Sequence, residues 1–286
     1  MTQSQLKSFN ERFVTNDKMF TGSIPKIYQR YLVPLIFESS AADLVKRLSV
    51  MEHLDRILEI ASGTGVVTRA IAAAFPNTKI VATDINQAML DEAKTISIPK
   101  NVEFLQADAQ QLPFEDKSFD AVVCQYGVMF FPDKPKAFSE AKRVLKPGGL
   151  YLFNVWDRLI DNEFPHIIAQ SLVKLYPNDP PNFLTRTPYS YNDPDLLRQD
   201  LLIGGFTSSI EIDTVTNVSQ ADNADIPAIA FCQGTPLRLE LEQRGGEQGT
   251  RFVEVATSHG AKAIRKQFGN GVVNGKIQYF VVTIHV

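Results

Sequence analysis

The feature that most constrains the fold of this chain is an apolar run that ends in a turn of small residues. Arg56–Ile60 has the β-branched and leucine content of a buried strand, and Ala61-Ser62-Gly63-Thr64-Gly65 follows directly. From Val66 onward, apolar residues recur at helical spacing. A strand, a glycine turn and a helix open a nucleotide-type α/β sheet, because glycine lets the backbone approach a ligand closely. The run therefore predicts a doubly wound α/β fold that binds a nucleoside-like small molecule.

Two aspartates lie where the next two strands are predicted to end. Asp84 follows a strand over residues 79–83, about twenty residues beyond the glycine turn, where an acid can accept hydrogen bonds from ribose hydroxyls. Asp84, or Asn86, could instead cap the helix predicted over residues 87–95. Asp108 follows a strand over residues 102–107, where a carboxylate suits an exocyclic amine or serves only as a turn residue.

The glycine spacing decides between two kinds of nucleoside site. A dinucleotide fingerprint needs a third glycine where this chain has Thr68, which counts against a dinucleotide-dependent oxidoreductase. Glu59, Ala61, Gly63 and Gly65 instead form an acid-x-small-x-Gly-x-Gly pattern that resembles motif I of the class I S-adenosylmethionine-dependent methyltransferases. Most members carry glycine in place of Ala61, a departure that is tolerable if Ala61 keeps a negative φ.

Further segments extend the resemblance to residues 50–156. Asp108-Ala109-Gln110-Gln111-Leu112-Pro113-Phe114 is similar to a "D-A-x-x-L-P-F" run of the family, and Arg143–Gly149 to its "R-V-L-K-P-G-G" turn before a strand. The resemblance implies an α/β, Rossmann-like, doubly wound, seven-stranded and mostly parallel sheet. Its last strand is expected antiparallel, between the fifth and sixth. The most similar branch methylates small molecules and includes ubiquinone and menaquinone biosynthesis methyltransferases.

The resemblance implies S-adenosyl-L-methionine as cofactor and S-adenosyl-L-homocysteine as product. Asp84 would bind the ribose, Asp108 the adenine amino group, and Ile85 with Met89 the adenine face. The residues expected to contact the cofactor are Glu59, Ala61, Ser62, Gly63, Thr64, Gly65, Asp84, Ile85, Met89, Asp108, Ala109, Gln110 and Cys124.

Candidates for binding the methyl acceptor come from two places. Gln125 and Tyr126 end the strand predicted over residues 121–125, at the sheet edge where ligands bind. Tyr28 and Tyr31 lie in N-terminal helices, which such enzymes commonly use as a lid, although core packing would explain the same pattern. Cys124 has no basic neighbour to activate its thiol, which favours a structural role.

Catalytic groups are harder to predict, because a general base is needed only if the acceptor loses a proton. His166 is one candidate base, against the alternative of a packed or surface histidine, and Tyr126 is another catalytic candidate. No histidines and acids occur at metal-ligand spacing, so no metal is expected.

The predicted organisation has four parts. An N-terminal helical lid spans residues 1–50, the cofactor-binding core 51–157, a lid and substrate region 158–205, and the rest of the sheet with inserted helices 206–286. Residues 1–22 are predicted to form a polar arm. The first helix is predicted to end near Val33, before Pro34, and the fifth strand to start at Leu150.

Composition limits the kinds of partner that the chain is expected to bind. A net charge of −3 gives no reason to expect nucleic acid, and no stretch reaches a membrane-spanning length, so a small-molecule partner is expected. Two cysteines do not make a disulfide framework, and the polar N-terminus is no signal peptide, which favours a cytoplasmic protein. A homodimer is possible. The alternative to a methyltransferase is a non-catalytic nucleoside-binding protein on the same fold.

Overall fold

The computed structural model describes residues 16–286, so most of the predicted polar arm lies outside the described residues. A seven-stranded sheet of order β3-β2-β1-β4-β5-β7-β6 forms the centre of the fold. Its strands are β1 (Arg56–Ile60), β2 (Lys79–Asp84), β3 (Val102–Gln106), β4 (Phe119–Gln125), β5 (Leu145–Trp156), β6 (Ile210–Ala221) and β7 (Val273–His285).

The first five strands pair in parallel. Ile57 of β1 lies opposite Ile80 on one side and Ala121 on the other, so the carboxyl ends of these strands meet at one edge. In contrast, β7 pairs antiparallel with β5 and lies between β5 and β6. The predicted α/β sheet, including the position of its antiparallel strand, is confirmed.

The helices follow the strands in the alternation expected of a doubly wound sheet. Their bounds are α1 (Ile24–Ile27), a π-helix (Tyr28–Phe37), α2 (Glu38–Leu48), α3 (Val66–Ala74), α4 (Gln87–Ile96), α5 (Lys134–Val144), α6 (Glu163–Leu175), α7 (Phe183–Arg186), α8 (Pro194–Ile203), α9 (Asp225–Gln233), α10 (Leu237–Gly245) and α11 (Gly249–Phe268). Within residues 16–286, every helix is too short or too polar to cross a lipid bilayer.

The chain divides into two compact units. The first contains the described part of Met1–Leu35 together with Arg158–Tyr189 and Val218–Ile277. The second contains Ile36–Asp157, Ser190–Asn217 and Gln278–Val286, and thus the glycine turn and the carboxyl ends of β1, β2, β4 and β5. The four-part division drawn from the sequence stays a prediction.

Helix packing builds the first unit, where α11 contacts α6, α9 and α10. In the middle of α11, Gly260 has Ile168 of α6 and Ala228 of α9 within van der Waals distance of where a Cβ would stand. Its missing side chain lets three helices approach each other closely. The core of this unit is therefore set by small residues as well as large ones.

A buried ionic cluster joins α7 and α10 of the first unit. Glu240 is 1% exposed and accepts hydrogen bonds from the backbone N–H groups of Asn182 and Phe183, at 3.1 and 2.9 Å. The same carboxylate pairs with Arg186 at 3.2 Å and with Arg244 at 3.0 Å. The Glu240 side chain thus fixes the start of α7, a helix of only 4 residues.

Two predicted boundaries are wrong. Pro34 does not end a helix near Val33, because the π-helix continues through it to Phe37. The wider i to i+5 bonding of a π-helix accommodates a residue that lacks an N–H group. The fifth strand starts at Leu145 rather than Leu150, and a register shift lets the intervening turn residues stay in the sheet.

Candidate functional site

The glycine turn after β1 is held in left-handed backbone conformations. Ala61, Gly63 and Gly65 have φ values of 54°, 55° and 78°. Gly65 stands directly before α3, whose first N–H groups have no partner inside the helix. The condition of a negative φ at Ala61 is therefore not met: the turn bends at each of these positions, and Ala61 takes the left-handed conformation that glycine prefers.

Two hydroxyls in this turn are buried without a hydrogen-bond partner among residues 16–286. They are Ser62 Oγ and Thr64 Oγ1, on side chains that are 5% and 1% exposed. A buried hydroxyl normally finds a partner, since leaving one unsatisfied costs about 1–3 kcal/mol. The turn thus presents polar atoms that a polar ligand group would satisfy.

Asp84 links the end of β2 to the turn. One carboxylate oxygen accepts the N–H of Gly63 at 2.9 Å and the other accepts the N–H of Asn86 at 2.8 Å. Burial raises the pKa of the Asp84 carboxyl, and these backbone hydrogen bonds oppose the rise. Each oxygen has a second lone pair, and the one on Oδ1 receives the Asn86 side-chain amide only weakly, at 3.4 Å. Asp84 can therefore order the turn and still accept hydrogen bonds from a ligand, whereas the Asn86 side chain makes no capping bond to α4.

Glu59 has a different environment from Asp84. It is 1% exposed, and its carboxylate accepts a hydrogen bond from the Thr68 hydroxyl of α3. Burial raises the pKa of Glu59 to about 8, against the opposing effects of Thr68 and of the charge of Arg69. The contacts of Glu59 fasten β1 to α3, and its predicted contact with the cofactor stays a prediction.

The predicted adenine contacts occupy the ends of β2 and β3. Asp108 Oδ1 accepts the backbone N–H of Gln110 at 2.8 Å, while Gln110 Oε1 accepts the N–H of Asp133 at 2.9 Å. Ile85 is 47% exposed, so its apolar side chain is open to a ligand, whereas Met89 and Ala109 are buried. Asp108 is thus held in place by the turn that follows it.

Aromatic rings gather after β4 and β5 in the second unit. The ring of Tyr126 stacks on Trp156 with centroids 3.9 Å apart and an interplanar angle of 3°. Phe37 lies 5.5 Å from the Tyr126 centroid and Tyr279 lies 5.7 Å from it. Tyr126 itself has a φ of 50°, so the chain turns sharply as it leaves β4. These rings form an aromatic cluster, Phe37, Tyr126, Trp156 and Tyr279, which keeps this name below.

The end of β4 and the residues after it pack closely against the glycine turn, at Cys124 and Gly127. Burial raises the pKa of the Cys124 thiol to about 12, which keeps it protonated and unreactive. A Cβ on Gly127 would lie 2.5 Å from the Ala61 Cβ and 2.7 Å from the Cys124 sulfur. Only glycine fits at position 127. The sequence analysis missed this residue, although a glycine directly after a strand end was the available signal.

Two predicted acceptor-binding residues and one candidate general base lie in the first unit. Tyr28 packs its ring against the edge of Phe20, and Arg30 lies 5.1 Å over the ring of Tyr31. His166 is on α6, where its ring contacts the Gln170 amide at 3.0 Å. Their roles in binding or catalysis stay predictions. Among residues 16–286, no group of histidine, cysteine and acidic side chains is placed to hold a metal ion.

We expect Ala61→Gly to stabilise the protein by about 0.5–1 kcal/mol, because it relieves an L-residue held at positive φ. Urea unfolding followed by circular dichroism measures the change. Ala73→Gly, at an exposed position of α3, is the matched control and should destabilise by a similar amount. Two losses of equal size would show that φ at position 61 carries no strain.

Comparisons with known proteins agree with this geometry. The family profile described as "Methyltransferase domain" matches residues 58–153, which run from β1 to β5 and include the glycine turn, Asp84 and Asp108. Residues 58–153 are similar to a methyltransferase domain. The resemblance to the class I methyltransferases that the glycine pattern indicated, and within them to the ubiquinone and menaquinone branch, is confirmed.

Curated relatives include ubiquinone/menaquinone biosynthesis C-methyltransferases. That of Stutzerimonas stutzeri is 37% identical over 166 residues, which are 56% of this chain and 56% of the relative. That of Escherichia coli K12 is 38% identical over 125 residues, or 42% of this chain and 47% of the relative. The chain thus spans about half the length of the curated relatives it matches.

Solved structures share the fold at low identity. A putative methyltransferase from Bacillus halodurans has a TM-score of 0.53 and 21% identity, covering 86% of this chain and 98% of that chain. A Haemonchus contortus phosphoethanolamine N-methyltransferase, in complex with phosphomonomethylethanolamine and S-adenosylhomocysteine, has a TM-score of 0.58 and 18% identity. It covers 95% of this chain and 60% of that chain. Both place methyltransferases among the structural neighbours of this sheet.

Proposed function

We propose that this protein transfers a methyl group from S-adenosylmethionine to an oxygen, nitrogen or carbon atom of a small molecule. The observation that supports this most is the glycine turn. Two unsatisfied hydroxyls, Ser62 and Thr64, lie there beside an aspartate that already orders the backbone. The methyltransferase domain spans the same residues.

The residues of the turn fit the polar groups of this cofactor. Ser62 Oγ and Thr64 Oγ1 would serve its carboxylate and ammonium groups, and Asp84 would accept from the ribose hydroxyls through its second lone pairs. Asp108, held by Gln110, would accept from the adenine amino group. Ile85 would cover the base with its exposed apolar side chain.

The bound cofactor would supply an activated methyl group on a positively charged sulfur. The chain then has mainly to position the acceptor in line and exclude water. The aromatic cluster is suited to excluding water, because its four rings are buried at the carboxyl ends of β4 and β5. The thiol of Cys124 takes no part in group transfer, since it stays protonated. The names of the curated relatives make a ring carbon of a quinone-type compound the first acceptor to test.

The test is calorimetric titration of the purified protein with S-adenosylhomocysteine, with NADH as the control. We expect binding of S-adenosylhomocysteine in the micromolar range and none of NADH. Failure to bind S-adenosylhomocysteine would overturn the proposal. Binding without turnover, across phenols, quinones and amines given with S-adenosylmethionine, would instead favour the non-catalytic nucleoside-binding protein.

A further inference from the structure

Two amide side chains stand side by side at the carboxyl ends of β4 and β5. Gln125 lies opposite Asn154 in the register of these parallel strands, so both side chains project from the same face of the sheet. Asn154 is fully buried, at 0% exposure. A polar residue is unexpected here, since its neighbours in β5 are Leu152, Phe153 and Val155.

The orientation of each amide is fixed by a backbone partner. Asn154 Oδ1 accepts the N–H of Tyr126 at 2.9 Å, so its Nδ2 faces the other way. Gln125 Nε2 donates to the carbonyl of Phe37 at 3.2 Å, which leaves Oε1 as the other end. Each amide therefore has one atom committed to the fold and one that is not.

The uncommitted atoms have no hydrogen-bond partner within residues 16–286. Asn154 Nδ2 and Gln125 Oε1 are both buried and unsatisfied, and no hydrogen bond joins them. Leaving two such atoms unsatisfied destabilises the fold, and native proteins rarely retain such atoms without a ligand or a functional reason. The arrangement offers one donor and one acceptor on neighbouring strands.

A hydroxyl group matches this arrangement, because its oxygen accepts a hydrogen bond while its hydrogen is donated. A phenolic hydroxyl could accept from Asn154 Nδ2 and donate to Gln125 Oε1 at once. The aromatic cluster adjoins the pair: Tyr126 is the residue after Gln125, and Trp156 is two residues beyond Asn154 on the same face of β5. All four rings of the cluster are buried, so the pair lies beside aromatic side chains that exclude water.

We propose that Gln125 and Asn154 bind a hydroxyl group of the methyl acceptor beside the aromatic cluster. This assignment rests on the proposed function, which makes the ligand a methyl acceptor, and it specifies that this acceptor carries a hydroxyl group. Gln125 and Asn154 are specificity-determining residues, which read the hydroxyl without taking part in group transfer.

The experiment uses the single tryptophan of the chain. Trp156 belongs to the aromatic cluster, so its fluorescence reports ligands that bind there. We would titrate the protein, saturated with S-adenosylhomocysteine, with β-naphthol and with the methyl ether of β-naphthol. The ether can accept a hydrogen bond but cannot donate one to Gln125. We expect β-naphthol to bind at least about tenfold more tightly, because a site built around a hydroxyl strongly rejects analogues that lack it.

Two variants test the pair separately. Gln125→Met removes the acceptor and should reduce the preference for β-naphthol to less than about threefold. Asn154→Asp keeps an oxygen for the Tyr126 N–H but loses the amide donor, and should weaken β-naphthol binding at a pH where the carboxyl is ionised. Thr283→Val is the matched control. It removes another buried, unsatisfied hydroxyl, on β7, and should leave both affinities unchanged.

Several outcomes would overturn the assignment. Equal binding of both naphthol compounds to the wild-type protein would mean that the pair holds only water. Loss of S-adenosylhomocysteine affinity in Gln125→Met, with the β-naphthol preference intact, would assign the pair to the cofactor. Circular dichroism melting checks that each variant is folded. If the wild-type protein does not bind S-adenosylhomocysteine, the same titration is made without it; a preference for β-naphthol would then leave the hydroxyl site standing while the proposed function fails.

Discussion

Replacing Asp84 with alanine is expected to weaken the binding of S-adenosylhomocysteine by more than about 100-fold. Hydrogen bonds to a charged group contribute about 1.5–3 kcal/mol each, and the proposed ribose contact contains two of them. The substitution also releases the N–H groups of Gly63 and Asn86, which loosens the turn that holds Ser62 and Thr64. Both effects act in the same direction. Calorimetric titration measures the affinity.

A matched control separates the ribose contact from a general loss of stability. Asp193 caps α8 in the same unit by accepting the N–H of Asp195, so Asp193→Ala removes a carboxylate with a comparable backbone role. This variant should bind S-adenosylhomocysteine as the wild type does. Asp84→Asn, which keeps one acceptor oxygen, should fall between the two. Unchanged affinity in Asp84→Ala would refute the ribose assignment.

The second large effect is expected in the first unit, where Glu240→Ala should lower the free energy of unfolding by about 3–5 kcal/mol. Removing one member of a buried ionic cluster leaves the other charges without compensation. Here the loss would leave Arg186 and Arg244 short of a carboxylate, and the N–H groups of Asn182 and Phe183 without their acceptor. Urea unfolding followed by circular dichroism gives the change.

The control for this substitution is two residues away on the same helix. Glu242 pairs with Arg238 at 2.8 Å, but its side chain is 33% exposed, so Glu242→Ala should cost less than about 1 kcal/mol. A similar small effect for both substitutions would show that the cluster around Glu240 does not stabilise the first unit. Digestion by a protease should also become faster near residues 179–187 in Glu240→Ala only.

The sequence predicted well those parts of the fold that depend on local pattern. Asp133 and Asp193 accept backbone N–H groups at the starts of α5 and α8, and a proline in the first turn follows each of them, which is the local pattern of a capped helix. The buried residues of α11, such as Val253, Ala256 and Gly260, recur at helical spacing in the same way. Such features need only a few neighbouring residues, which is why spacing and capping rules find them.

Features that depend on distant partners were missed. The start of β5 at Leu145 rests on backbone pairing with Phe119, and the end of the chain bonds Gly148 and Gly149 through Val286. In the sequence, Glu240 carries no signal that distinguishes it from the exposed charged residues of α10. The unsatisfied ends of Gln125 and Asn154 are visible only once the two strands are adjacent. Tertiary neighbours, rather than local propensity, decide all of these.

The contact between Ala61 and Gly127 limits how this protein can change over time. Because the space beyond the Ala61 methyl group is the space that a side chain at position 127 would need, the two positions cannot accept larger residues independently. Glycine at position 61 would leave room on one side of position 127, although the Cys124 sulfur would still fill the space on the other side. Ala61, Cys124 and Gly127 are therefore expected to be exchanged as a set.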